Sequence, residues 1–334
     1  MKPSRLIAAC VLLTLSAAIS AQQPIVIKFS HVAAGDAPKG KAAEHFKKLA
    51  EEATRGRVKV ELYPNSMLYR DKEELEALQL GAVQMLAPAP GKFGPLGVKE
   101  FEALDLPYLF DNMAVAQRVT QGAVGQQLLK KLDSRGIAGL AFWDNGFRVF
   151  TSNKPIRRPG DLKGQKIRIQ SSKVTEAQMR DVGALPQVMA FGELYQALQT
   201  GMVDGQENPV THVYTQKFYE VQKYMTLTDH TYHGYVVIAN KKFWEGLPPD
   251  IRTALTAALK DTTGYFYSMA KQEDDAALET VRKLGRMDIY TPTAQESAEW
   301  KKAFTKVHRE MEGRIGKEML ESIYKETGFD PNKP

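Results

Sequence analysis

One cysteine, Cys10, is all that the 334-residue chain contains. It lies in the opening stretch "MKPSRLIAACVLLTLSAAISAQQ", where Lys2 and Arg5 precede an apolar run from Leu6 to Ile19 and then small residues. That is the build of a cleavable secretory signal, and we expect 1–21 to be removed. "IAAC" resembles a lipoprotein box, but its apolar lead-in is only Leu6 to Ala9, so Cys10 reads as part of the discarded signal. Without it there is no thiol nucleophile, no structural disulfide and no thiolate metal site. Losing Lys2 and Arg5 also lowers the formal charge of +6 by two.

Other absences narrow the reading further. No later segment is apolar for long enough to cross a bilayer. No block of five or more like charges occurs, which argues against nucleic acid as a partner and leaves a small anion on one or two placed cations. Gly-x-Ser-x-Gly, phosphate-loop and His-Glu-x-x-His patterns are missing, and "GKFGPLG" has the wrong glycine spacing for a dinucleotide fingerprint. His230 and His233 in "DHTYH" are spaced to chelate a metal, yet no third ligand is evident, so neither a metal nor a cofactor is expected. No carboxylates are visibly paired for acid and base work.

The composition, 43% apolar and 25% charged, excludes wholesale disorder, and the length suits two α/β lobes better than one core. "IVIKFS" alternates as a half-buried strand, and Ala42, Phe46, Leu49, Ala50 and Ala53 share one helical face after it. Gly56 ends that helix before the strand "RVKVELY". "DKEELEALQLGAVQML" predicts a helix ended near Gly81 and a strand around 83–87. The order begins again with "KIRIQ", a helix ended at Gly183, "LPQVMA", the helix "GELYQALQTG" and a strand in "MVDGQENP". Set 120 residues apart, "EALQLGAVQ" and "QALQTGMVD" share Ala, Leu, Gln, Gly and Val in register, which predicts two similar lobes.

From Ile251 to Val281 apolar residues hold helical spacing for about 35 residues, roughly 50 Å of helix. Such a helix outruns one lobe and predicts a strut across both, with a kink near Gly264. A last helix is expected to open on the capping box Thr293–Glu296 and to turn Trp300, Phe304, Val307 and Met311 inward.

Three polar residues then stand out at element ends. Arg148 lies in "DNGFRVF" at the entry to the second lobe, Arg168 lies between Ile167 and Ile169, and Asn208 lies in "GQENP". Ligands of open α/β sheets gather beyond strand carboxyl ends, where an arginine fork grips a carboxylate with two parallel bonds. Alternation alone leaves Arg168 either on a solvated face or in a cleft.

"GQKIRIQSSKVTEAQMRDVGALPQVMAFGELYQALQTGMVDGQENP" resembles the extracytoplasmic substrate-binding subunits of TRAP transporters, of the dicarboxylate-binding type. "HVAAGDAPKGKAAEHF", "VELYPNSMLY", "DLPYLF", "NKPI", "QKFYEVQKY" and "NKKFWEGLP" look like the same family, so the likeness covers essentially everything after the signal. It implies an α/β, two-lobed, class II-like periplasmic binding protein with a long helix spanning both lobes. The boundaries it suggests are 22–145 and 234–273 for the first lobe, 146–233 and 274–330 for the second. It implies no enzymatic activity, a periplasmic location, a monomer, and delivery of an organic acid to a small and a large membrane subunit driven by an ion gradient.

Carried over residue by residue, the resemblance puts the clamping arginine on Arg168, the asparagine of "ENP" on Asn208 and a second arginine on Arg148. It puts an aromatic wall on Phe191 and a histidine on His230. The first lobe offers His31, Lys39 and Lys92 as further polar groups, and "HVAAGDAPKGK" and "LAPAPGKF" resemble binders of C4-dicarboxylates such as succinate, fumarate and malate. A uronic or sugar acid held by Arg168 and hydroxyl partners is the alternative ligand. An exported enzyme of the same build is the remote one, and a further role towards a membrane sensor is compatible with the sequence.

Overall fold

The structure, a computed structural model, describes residues 23–333; the expected signal, with Cys10, lies outside the described residues. β1 (Ile25–Ser30) turns Ile27 and Phe29 onto α1 (Pro38–Ala53), whose Ala42, Ala43, Phe46 and Ala50 meet them. β2 (Val58–Tyr63), α2 (Glu74–Gln79) and β3 (Met85–Leu86) complete a parallel unit with β1 in the middle. α3 (Met113–Gln121) and α4 (Ala123–Lys131) lead to β4 (Ile137–Phe147), which passes straight into β5 (Val149–Ser152) of a second sheet. There follow β6 (Lys166–Ile169), α5 (Lys173–Asp181), β7 (Leu185–Val188), α6 (Leu194–Gln199), β8 (Gly205–Asn208), α7 (Val210–Thr215) and β9 (Tyr224–Thr226). The chain then returns through 227–231 to β10 (Tyr232–Asn240), antiparallel to both β3 and β4.

The repeated nonapeptide is a structural repeat as well. α2 and α6 are both six residues long, and each is closed by a left-handed glycine, Gly81 at φ +79° and Gly201 at φ +71°, before Val83 or Val203 is buried. Glycine suits both places because a side chain strains this backbone.

After α8 (Lys241–Gly246), α9 (Pro249–Leu284) runs for 36 residues, about 54 Å. Ile251 to Ala270 pack in the first-lobe core with Phe29 and Trp143, whereas Ala277 and Val281 pack in the second-lobe core with Leu194 and Met225. The helix is therefore the strut expected, but its hydrogen bonding is unbroken at Gly264. Buried Thr263 and Phe266 on either side hold it there, outweighing the ~1 kcal/mol helical cost of a glycine.

β11 (Asp288–Tyr290) joins the second sheet, whose order is β11-β9-β5-β8-β6-β7; the first is β2-β1-β3-β10-β4. The expected last helix is instead three. α10 (Ala294–Phe304) opens with the capping box and sets Trp300 and Phe304 against Phe150, α11 (Val307–Ile315) sits between α5 and the 3-10 turns of Lys99–Asp105, and α12 (Lys317–Thr327) packs on α3 and α4. Trp300 and Val307 face different lobes, which one straight helix does not allow. Val307, Met311, Met319 and Ile323 thus share a core with Phe101, Val119 and Leu128.

Candidate functional site

β6 decides what alternation left open. Ile167 and Ile169 are fully buried in a core with Trp300, and Arg168, on the other face, is itself only 2% exposed. Its Nε and Nη2 donate to the carbonyl of Met189 at 3.0 and 2.7 Å, which fixes the guanidinium plane. Among the described residues Nη1 has no hydrogen-bond partner. A small cavity of about 30 Å³ opens beside it, between the lobes.

Lys39, Lys92, Arg168, Phe191 and Asn208 all line this cavity. Lys39, in the first turn of α1, donates to the carbonyl of Ala87 at 3.0 Å and rests 3.9 Å above the ring of Tyr235. Burial, and then the charge of Lys92, lower its amine to about 7. Lys92, on the 3-10 turn Pro90–Phe93, pairs with Asp71 and, at 2.8 Å, with Glu74. Burial alone would lower Lys92, but those two carboxylates outweigh it and leave it raised. Gly91 beside it lets the lobes approach, since a Cβ there would fall 2.2 Å from Asp105 Oδ2 and 2.8 Å from Ser172 Cβ. Asn208 ends β8 with one amide hydrogen committed to Gln206 at 2.5 Å, and Phe191 places its ring 5.7 Å from the Arg168 guanidinium.

His31, Arg148 and His230 are not brought to that wall. His31 is buried edge-on to Phe29, and burial followed by Lys39 lowers it to about 3, so it is neutral. His230 stacks on Phe150 at 4.3 Å and bonds Thr228 Oγ1 at 2.7 Å; burial lowers it far below its ordinary value. Arg148, 1% exposed, stands where β4 becomes β5 and is occupied by Glu207 at 2.7 Å and His233 Nδ1 at 2.7 Å.

The Arg148 contact fixes a chain of bonds. Because Arg148 donates, His233 Nδ1 accepts and its Nε2–H donates to Tyr235 Oη at 3.2 Å. Tyr235 then donates to His212 Nε2 at 3.0 Å. Burial leads the causes that lower both imidazoles, His212 to about 3, and this keeps the chain neutral beyond Arg148. Tyr235, His233 and His212 all line the cavity, so Arg148 orients its wall from behind.

Asp71, like His212 and Tyr235, lines the cavity without having been singled out in the sequence. It projects from the first lobe between Lys92 and Arg168 and accepts from the backbone N–H of Phe191 at 2.5 Å. Burial would raise it, but the charges of Lys92 and Arg168 prevail and hold it at about 2. "YRDKEE" marks a helix start and gives no sign of a cleft; only the meeting of the lobes does. Among the described residues no group of three or more His, Cys, Asp or Glu is arranged to hold a metal ion. What the cavity offers is cations from both lobes, an amide, an aromatic wall and neutral donors, a set that binds an anion without transforming it.

Residues 29–314 match the model of the family described as bacterial extracellular solute-binding protein, family 7. Over 301 residues the chain is 56% identical to the C4-dicarboxylate-binding periplasmic protein DctP of Rhodobacter capsulatus, with 90% of each chain covered. A TRAP periplasmic solute-binding protein from Shewanella oneidensis, solved with bound succinate, superposes with a TM-score of 0.89 at 37% identity over 91% of this chain and 99% of that one. The sugar acid binding protein DctPAm of Advenella mimigardefordensis, solved with galactonate, gives a TM-score of 0.89 at 32% identity over 92% and 98%.

Proposed function

The chain belongs to bacterial extracellular solute-binding protein family 7, and from that premise we propose that it is the periplasmic receptor of a TRAP transporter for a C4-dicarboxylate such as succinate, fumarate or malate. The observation that carries the ligand is the division of cations between the lobes. Arg168 and Asn208 on the second lobe take one carboxylate; Lys39 and Lys92 on the first take the other. A ligand with two carboxylates then bridges the lobes, and closure follows from its greater affinity for the closed form. Phe191 forms the apolar wall. Arg148 orients the site, and His31 and His230 are neutral groups packed around it. The protein acts as a monomer and releases the acid to the transporter's small and large membrane subunits, with no chemistry of its own.

Calorimetry or thermal shift with succinate, fumarate, L-malate, galactonate, galacturonate and sialic acid tests the reading. A true ligand at about a hundred times its Kd stabilises by about 2.7 kcal/mol. Diacids should give that shift. Silence from all of them beside a shift with galacturonate or galactonate would move the protein to the sugar acids.

A further inference from the structure

A cleft of about 680 Å³ lies at the hinge and shares no lining residue with the anion cavity. Its walls are the two segments that carry the chain between the lobes, 144–149 and 227–229, together with the middle of α9, the middle of α10 and the 108–113 loop. The volume falls in the range of small-molecule sites.

Its chemistry is the reverse of the anion cavity's. Asp111, Asp144, Asp229, Asp274 and Asp275 line it against only Lys271 and Lys301, and Lys271 is taken by Asp275 at 2.7 Å. Asp144 is satisfied by Thr120 and Tyr232. Asp229 and Asp274 have no ion-pair partner among the described residues, and the Asp274 carboxylate accepts from the N–H of Thr211 at 3.0 Å. Asp229 is held at φ +44°, a left-handed conformation that costs a non-glycine residue energy. Independently, Asn145 lies in the lining only 2% exposed, with neither atom of its amide hydrogen-bonded. A buried amide with neither atom paired is rare in folded proteins and calls for an explanation. Tyr108, Phe110, Phe147 and Tyr267 supply aromatic surface beside the acids.

We propose that this hinge cleft is a second ligand site, for an organic ammonium ion with an apolar body. Carboxylates and ring faces both attract an ammonium group, and the aromatic walls bury the rest of the molecule. The acids do not converge into a metal-binding group, which favours a broad organic cation over a divalent metal. Because both lobes contribute walls, an occupant feels the angle between them, and its binding is linked reciprocally to that of the anion.

The test is calorimetry of the whole protein with phenethylammonium, with 2-phenylethanol as the same body without charge, and with magnesium chloride. Phenethylammonium should bind saturably at one site per chain below about 10 mM. Asp229→Asn and Asp274→Asn should each weaken it about tenfold, while succinate binding in the absence of amine stays at the parent level and certifies the fold. Asparagine at 274 keeps the acceptor for Thr211. Equal binding of 2-phenylethanol would overturn the proposal, leaving an apolar cleft only. So would parent-like amine binding by both variants, absence of amine binding, or magnesium binding lost in the same variants without any amine binding. Succinate serves as an independent arm, so failure here is distinguishable from failure of the dicarboxylate reading.

Discussion

Asp71 Oδ2 of the first lobe lies 4.0 Å from Arg168 Nη2 of the second, and the same carboxylate bonds Lys92 and the N–H of Phe191. An anion of the protein thus faces the two cations offered to the ligand. Asp71→Asn keeps an acceptor for Phe191 and removes the competing charge. Dicarboxylate affinity should rise roughly three- to tenfold, as for a partly screened charge pair of about 1 kcal/mol. A fall in affinity would mean that Asp71 acts as a latch for closure rather than as a competitor.

Arg168→Ala should weaken dicarboxylate binding by about 2–5 kcal/mol, at least thirtyfold, because a desolvated carboxylate is left unpaired. Arg168→Lys should weaken it clearly too. Lysine keeps the charge but loses the fork that holds the Met189 carbonyl with Nε and Nη2. Titration calorimetry of the two variants decides; affinities equal to the parent's in both would remove Arg168 from the clamp.

Local rules in the sequence narrow the second-lobe half of this cavity without choosing it: they leave Arg168 either on a solvated face or in a cleft, and the resemblance points to the cleft. Alternation sets Arg168 opposite Ile167 and Ile169, and strand ends carry Asn208. The glycines of the repeated nonapeptide mark where α2 and α6 stop. Asp71, His212 and the bonds of Tyr235 were not legible, because they follow from how two lobes and a crossing strand meet over distances of many residues. The same lack explains His31 and His230: each is a polar residue near the right element, buried behind the wall by packing on Phe29 and Phe150 that no motif encodes. The capping box announced where α10 begins, and nothing comparable announced its end at Phe304, since the break serves contacts with two different lobes.

Lys39 should make binding depend on pH. Its amine, at about 7 in the unliganded protein, is partly neutral near physiological pH, and a bound carboxylate favours the charged form and raises it. Binding near pH 7 therefore takes up protons, and affinity falls as pH rises through that value. Glu207, pushed up to about 7 by burial against the opposing charge of Arg148, shifts in the same direction when an anion approaches. Calorimetry in buffers of different ionisation enthalpy measures the uptake, and Lys39→Met should remove most of it. Proton release on binding would contradict this account.

Arg148 separates a positioning role from a clamping one. Arg148→Met leaves Glu207 buried without its cation, at a cost of about 3–5 kcal/mol, and Arg148→Met/Glu207→Gln should recover much of that. Chemical denaturation of the single and double variants reads the difference. If Arg148 instead gripped the ligand, the single variant would lose affinity with its stability nearly intact.

Phe266 joins the strut to the site. At 0% exposure it stacks on Trp143 at 5.4 Å and meets Tyr235 edge-on at 6.3 Å, while Trp143 Nε1 donates to Thr263 Oγ1 at 3.1 Å one turn earlier on α9. Phe266→Ala opens a cavity between helix and sheet and should cost about 3–5 kcal/mol, seen as a lower denaturation midpoint at an unchanged slope. Phe266→Leu, which refills most of the volume, should cost clearly less. Tyr235 carries Lys39 over its ring and is bonded to His212 and His233, so a ring that tilts into the cavity disturbs the wall of the anion site. The alanine variant should therefore also bind dicarboxylate more weakly under conditions where it is fully folded, and the leucine variant should bind nearly as the parent does. Parent-like affinity in folded Phe266→Ala would show that the strut supports the lobes without reaching the ligand.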